Sequence, residues 1–306
     1  MSAGEPAQGA NSAPAGGSAA AKSRAWGPHT STLAQRRGLR LGLRLTAAVL
    51  LTLVFMFPIY WLFMISFKTA SEIYAFPPKW YPSSFNFDTY RVLFRDGDAA
   101  TVGNSLVVAF FSTALAMFLG VICAYSLARF STGGRHLANW IVSQRMIPPI
   151  AVVFPIFLLY VWFGLVDTYI GVILLYTAFN LPYVIWMMRG YILDVPRALE
   201  ESALVDGCTR WEVIWKVVLP MCRAGLAATA IFTFVFAWND FIFALVLTRT
   251  EVATYTVQIT HYFGGQSNFW AKISAMSVLG TVPIFVVTAF MQRYFVRGIS
   301  LGAIKG

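Results

Sequence analysis

Six stretches of this chain are apolar almost without interruption: residues 45–65, 104–128, 146–166, 168–188, 224–248 and 273–292. At about 1.5 Å of rise per residue, each is long enough to cross roughly 30 Å of hydrocarbon as a helix. Only the fifth holds a charge, Asp240. The third has a softer start, because residues 136–144 are also mostly apolar and Arg145 can sit inside the helix. Pro58, Pro148, Pro149, Pro155, Pro182 and Pro283 fall within these runs. Prolines are tolerated there when neighbouring helices or waters satisfy the freed carbonyls, so they predict kinks.

Composition agrees. The hydrophobic share is 58% and the charged share 12%, against about 45–50% and about 25% in soluble domains. A soluble globular chain, a collagen and a disulfide scaffold are excluded. Cys123, Cys208 and Cys222 are scattered, with neither metal nor redox spacing. The expectation is an all-α membrane protein of six transmembrane helices over residues 41–306. Residues 1–40 form a disordered basic tail ahead of them, since 1–22 are mostly Ala, Gly, Ser and Pro and too poor in apolar surface to offset their ordering entropy. No short apolar run follows a basic start, so that tail is not read as a secretory signal.

The net charge of +10 bears on orientation rather than on nucleic acid, for which no partner role is expected. With the N-terminus in the cytoplasm, seventeen of the 23 bases fall on the cytoplasmic side. The six outside are Lys68, Lys79, Arg91, Arg95, Arg249 and Lys272. In the loop 67–103 they are balanced by Glu72, Asp88, Asp96 and Asp98. Positive-inside bias therefore predicts that both termini are cytoplasmic.

Short loops would suffice between these helices, yet the fourth and fifth are separated by residues 189–223, with five bases and five acids. Pro196 suits a first helical turn, and Gly207 suits a left-handed stop. Thr209-Arg210-Trp211-Glu212 then fits a capping box that starts a second helix, ended by Leu219-Pro220. On the residues alone this is either an interfacial hairpin linking two spans or a docking element. Docking needs a small-residue face (Ser202 and Ala203), acids for a partner's bases, and a rigid turn.

Glu201-Ser202-Ala203, Gly207 and Val217-Val218-Leu219-Pro220 resemble the EAA signature of ABC importer permeases, with every spacing matched and only Ser202 and Val217 departing. Asp206 to Trp211 looks like the Asp-Gly-Ala-Thr-x-Trp form of carbohydrate permeases. The segment from Gln292 to Gly306 is similar to the tail of the maltose-type transporter's smaller permease subunit. The resemblance covers about residues 40–306. It implies a type I ABC importer permease fold in a bacterial plasma (inner) membrane, with a cytoplasmic EAA coupling loop. It also implies a second, homologous permease subunit, two ATPase subunits, and an extracytoplasmic solute-binding protein delivering a sugar or sugar-like polyol. Carried onto this chain, the coupling positions are Glu200, Glu201, Ser202, Ala203, Asp206, Gly207, Leu219 and Pro220.

No Gly-x4-Gly-Lys-Ser/Thr loop occurs, so no ATP hydrolysis is expected of this chain. The expectation is no bound cofactor, with ATP and magnesium used by the partner ATPase. His29, His136 and His261 give no metal spacing, and no catalytic set is present. Asp240, in Trp238-Asn239-Asp240-Phe241, would cost about 2.5–3.5 kcal/mol at mid-bilayer, so it should face the bundle interior or a polar cavity. Asn239, Asp240, Asn180 and Tyr183 are translocation-path candidates, each with a structural hydrogen bond as the alternative. A secondary carrier would need more ionisable groups than Asp240 and Arg145, and a structural membrane subunit would leave the 189–223 loop unexplained.

Overall fold

The computed structural model describes residues 29–264 and 269–302. The chain divides into two units, Met1–Met56 and Phe57–Gly306. Helix α1 (His29–Ile65) supplies the described backbone of the first. Its start corrects the expectation of a disordered tail to residue 40, since residues 29–40 are helical. Leu33, Ala34, Gln35, Arg36 and Arg37 there are all good helix formers. Residues 1–28 lie outside the described part.

The second unit begins with the end of α1 and the short helices α2 (Ala70–Ile73) and α3 (Asp88–Arg95). A capping box at Thr69 and Glu72 starts α2. Glu72 also accepts the Ser83 N–H at 2.9 Å. Its hydrogen bonds to Ser83, with that of Thr69 and the charge of Lys79, hold its carboxyl at about 2.

Helix α4 (Ala100–Arg129) covers the second predicted span, starting a turn earlier and ending one residue later. The fourth span appears as α7 (Tyr169–Leu193), started where expected by the Thr168 hydroxyl, which accepts the Gly171 N–H at 3.1 Å. These two helices pack along their length. Gly120 allows the approach: a Cβ there would lie 2.5 Å from a methyl of Val184, which is fully buried.

The third and fifth spans are not single helices. The third is α5 (Gly134–Ser143), a tight turn over Gln144–Met146, and α6 (Pro149–Trp162). The segments on either side of Ile147-Pro148 are bent by 93°. Each proline pushes the residue before it toward extended backbone, and Ile147 (ψ 120°) and Pro148 (ψ 129°) both comply. Pro182, by contrast, is carried inside α7 without ending it.

The loop after α7 holds α8 (Arg197–Val205), α9 (Arg210–Glu212), a wide-turn segment Val213–Val218 and α10 (Leu219–Met221). Helix α11 (Arg223–Trp238) follows after a bend of 85°. The expected end at Leu219-Pro220 is therefore shifted, because helical turns run on through Met221. Pro220 has no N–H for the preceding turn, and the wide turns before it accommodate that loss. The fifth span then stops at Trp238 and resumes as α12 (Ile242–Leu247). Helix α13 (Tyr255–His261) precedes α14 (Phe269–Gly302), which extends the sixth span at both ends. Residues 303–306 of the C-terminal segment lie outside the described part.

Among the described residues there is no strand, and four helices are long and apolar enough to cross a membrane, or six spans if each bent pair counts as one. Two buried clusters hold the second unit together. One gathers around Trp238, Tyr255 and Met276. The other gathers around Tyr125, Met188, Ile192 and Val213. The turn between α6 and α7 is tied to the segment after α12 by Asp167. Its carboxylate accepts the N–H groups of Arg249, Thr250, Glu251 and Val252 at 2.9–3.1 Å. Burial works to raise the Asp167 pKa, but these four donors leave it below the ordinary range.

Candidate functional site

Two places collect the residues singled out by sequence. The first is the 189–223 loop. Helix α8 ends in a Schellman turn: the Cys208 N–H bonds Ala203 O at 3.0 Å, the Gly207 N–H bonds Leu204 O at 3.1 Å, and Gly207 has φ +89°. A Cβ on Gly207 would meet nothing within 4 Å, so the demand for glycine there is one of backbone conformation alone. The expected capping box is present. The Thr209 N–H reaches Glu212 Oε2 at 2.9 Å, and the Thr209 hydroxyl accepts the Glu212 N–H at 3.3 Å. Lys216 Nζ bonds Glu212 Oε1 at 2.7 Å. That bond and those from Thr209 hold the Glu212 carboxyl at about 2.

Each coupling candidate can now be placed. Glu201, Ser202, Asp206 and Gly207 are exposed on α8 and its turn, and Ala203 is half-buried against the cluster around Met188. Val205 is 88% exposed at the end of the same helix, and Leu199 is also exposed. Leu219 is buried in that cluster as an anchor, and Pro220 is exposed.

Glu200 departs from the set. It is turned inward, accepting the Tyr125 hydroxyl at 2.8 Å and Arg129 Nε at 2.6 Å. Both side chains of the Arg129–Glu200 pair are only 7% exposed. A docking contact for Glu200 is thus corrected: its carboxylate is spent inside the chain. Removing one member of such a pair strands a buried charge, at a cost of about 3–5 kcal/mol. Sequence offered an acid next to Glu201, but its partner lies 71 positions away.

The second place is an open pocket of about 560 Å³ where the two broken spans meet α7. Asn180, Asn239 and Asp240 line it together with Gln144, Arg145 and Tyr176. Tyr183 does not line it, but lies under Arg145, whose guanidinium also sits 4.6 Å from the Phe236 ring centre. Arg145 Nη1 donates to Phe179 O at 2.9 Å. Asn180 is buried, and so is the Tyr176 hydroxyl, which lies beside Asp240. Arg145 and Tyr176 were missed as pocket residues. Only the Pro148-Pro149 pair, which turns the chain at that point, hinted at Arg145's position.

Asp240 is the reason the fifth span can restart. Its Oδ1 accepts the N–H groups of Phe243 and Ala244 at 3.2 and 3.3 Å, and Asn239 Nδ2 closes back on Val235 O at 2.8 Å. Short polar side chains that bond nearby backbone in this way favour a helix break. Asp240→Asn keeps an acceptor at the same place and should leave the amount of membrane-inserted protein near wild type. Asp240→Leu strands two donors, at about 1–3 kcal/mol for a buried group left unpaired, and should lower it. Immunoblots of isolated membranes compare the two. Equal levels would remove this capping role.

Among the described residues no cluster of His, Cys, Asp and Glu could hold a metal. Residues 116–301 match the family described as binding-protein-dependent transport system inner membrane component. The chain is 37% identical over 268 residues to the trehalose transport system permease protein SugB of Mycobacterium tuberculosis, covering 85% of this chain and 97% of that one. It is 31% identical over 263 residues to the diacetylchitobiose uptake system permease protein DasC of Streptomyces coelicolor, covering 85% and 95%. Among solved structures, a bacterial ABC transporter for import of the acidic polysaccharide alginate aligns with a TM-score of 0.70 at 22% identity, over 85% of this chain and 98% of that one. At that identity the likeness speaks for the fold.

Proposed function

The chain belongs to the family of binding-protein-dependent transport system inner membrane components, and on that premise we propose that it carries a sugar or sugar-like polyol across a bacterial inner membrane as the smaller of two homologous permease subunits. It is a multi-pass ABC importer permease and not an enzyme, ATP hydrolysis belonging to separate ATPase subunits. The sugar class is supported by relatives whose names specify trehalose, diacetylchitobiose and arabinooligosaccharides. In this reading the partners are one related permease, two ATPases that bind the ATP and magnesium, an extracytoplasmic solute-binding protein and membrane lipid. The chain itself holds no cofactor.

The observation that carries the reading is the two-faced α8. One side is locked into the chain, while Leu199, Glu201, Ser202 and Val205 stand exposed at a fixed angle set by Gly207. A helix held in this way can transmit a push from an ATPase to α4 and α7. The pocket to which Asn180, Asn239 and Asp240 bring polar groups, with Tyr183 behind Arg145, lies along α7 where a hydroxyl-rich solute could be passed.

The test is uptake of labelled saccharides by membrane vesicles containing the chain with its partner subunits and binding protein. Uptake should require ATP, and uptake without ATP or ATPase would favour a secondary carrier. Orientation is read in intact cells from single cysteines at two exposed positions. With both termini and the 189–223 loop cytoplasmic, as the distribution of bases supports, Ser84→Cys should be labelled by an impermeant reagent and Thr209→Cys protected. The opposite pattern would invert the topology.

A further inference from the structure

The buried pair between Arg129 and Glu200 is more heavily built than a loop anchor needs to be. Arg129 is the last residue of α4 and Glu200 lies in the first turn of α8. Both oxygens of Glu200 are occupied, one by the Tyr125 hydroxyl and one by Arg129. The same guanidinium reaches further: Arg129 Nη2, which also meets Glu200 Oε1, donates to Ile192 O at 2.8 Å and to Val195 O at 2.9 Å, at the end of α7 and just beyond it. One side chain therefore joins α4, α7 and α8. A neighbouring contact ties in the next helix, with the Arg210 guanidinium 5.0 Å from the ring centre of Phe130, the residue that caps α4.

By chain, α8 is joined to α7 only through Asp194-Val195-Pro196, and to α4 not at all. A buried ion pair is a poor way to gain stability compared with apolar packing, but it fixes geometry sharply, because each charge tolerates only one arrangement of partners. Helices α4 and α7 are already packed together at Gly120 and Val184. Helix α7 carries Tyr176 and Asn180 to the pocket.

We propose that Arg129 and Glu200 are positioning residues that make α8, α4 and α7 a single lever, so that displacement of α8 reaches the pocket, and that neither residue contacts the ATPase. This deepens the coupling role assigned to the loop and rests on it.

The experiment compares Glu200→Gln, Arg129→Gln and the double variant in the full transporter. It measures thermal melting, co-purification of the ATPase, and ATP hydrolysis with and without loaded binding protein. Each single variant should melt lower than wild type. The double variant leaves no unpaired buried charge, so its melting temperature should return toward wild type. All three should keep the ATPase subunits, while stimulation of hydrolysis by loaded binding protein falls at least tenfold, in the double variant included. A double variant with wild-type stimulation would reduce the pair to a structural anchor and overturn the proposal. Loss of the ATPase from Glu200→Gln with unchanged melting would overturn it in favour of a direct contact. Failure of the unmodified chain to retain any ATPase would instead overturn the coupling reading itself, and the lever with it.

Discussion

Gly207→Val is expected to give a chain that inserts normally and yet loses its ATPase subunits, or keeps them without sugar-stimulated hydrolysis. Gly207 sits at φ +89° in the turn between α8 and α9. A β-branched residue held there is strained by about 1–3 kcal/mol. No atom lies within 4 Å of the added Cβ, so the strain is relieved by changing the turn rather than by moving a neighbour. Changing the turn breaks the bonds from Gly207 and Cys208 back to Leu204 and Ala203, and with them the angle of the exposed face of α8. The spans lie outside this turn. Pull-down of the ATPase followed by vesicle transport measures the effect, and wild-type values of both would sink the coupling role of the loop.

A large loss of stability should come from Trp238→Ala. Trp238 is 1% exposed, stacks on Tyr255 at 4.9 Å between ring centres, and donates Nε1–H to Gly280 O at 3.1 Å. It joins α11, α13 and α14 at one point. Inside a membrane the loss is one of packing and of a satisfied polar group rather than of water exclusion. Truncating a buried Trp costs about 3–5 kcal/mol where the site cannot collapse. Collapse is hindered here because Gly280 already touches the Tyr255 ring: a Cβ there would lie 2.5 Å from it. Melting of the purified protein in detergent should drop steeply for Ala and less for Phe, which keeps the stacking. An Ala variant that melts with wild type would mean that the three helices are joined elsewhere.

What could be read from the sequence was local. Thr209 with Glu212 and the stop at Gly207 are each specified by residues within a few positions of one another, and the structure holds them as expected. The start of α7 and the placement of Asp240 at a cavity followed from an apolar run and one costly charge. The bend at Ile147-Pro148 falls where the prolines predicted a kink, whereas the break at Asn239-Asp240 was invisible to run length, because an interrupted span and a straight helix have the same composition. The signals existed, in a double proline and an Asn-Asp pair, but Pro182 shows that such residues also ride inside an intact helix. The inward turn of Glu200 had no local signal, since it is set by Arg129 and Tyr125 on α4.

The proposed contact between the exposed face of α8 and the ATPase can be trapped covalently. Its most direct test is a photo-crosslinking residue placed at Val205, with the same residue at Phe85 as a control in the 67–103 loop; both positions are exposed. Irradiation of the assembled transporter should give a covalent adduct with the ATPase subunit from position 205 and none from position 85. An ATPase adduct from position 85 alone, or an adduct with the solute-binding protein from position 205, would contradict that contact.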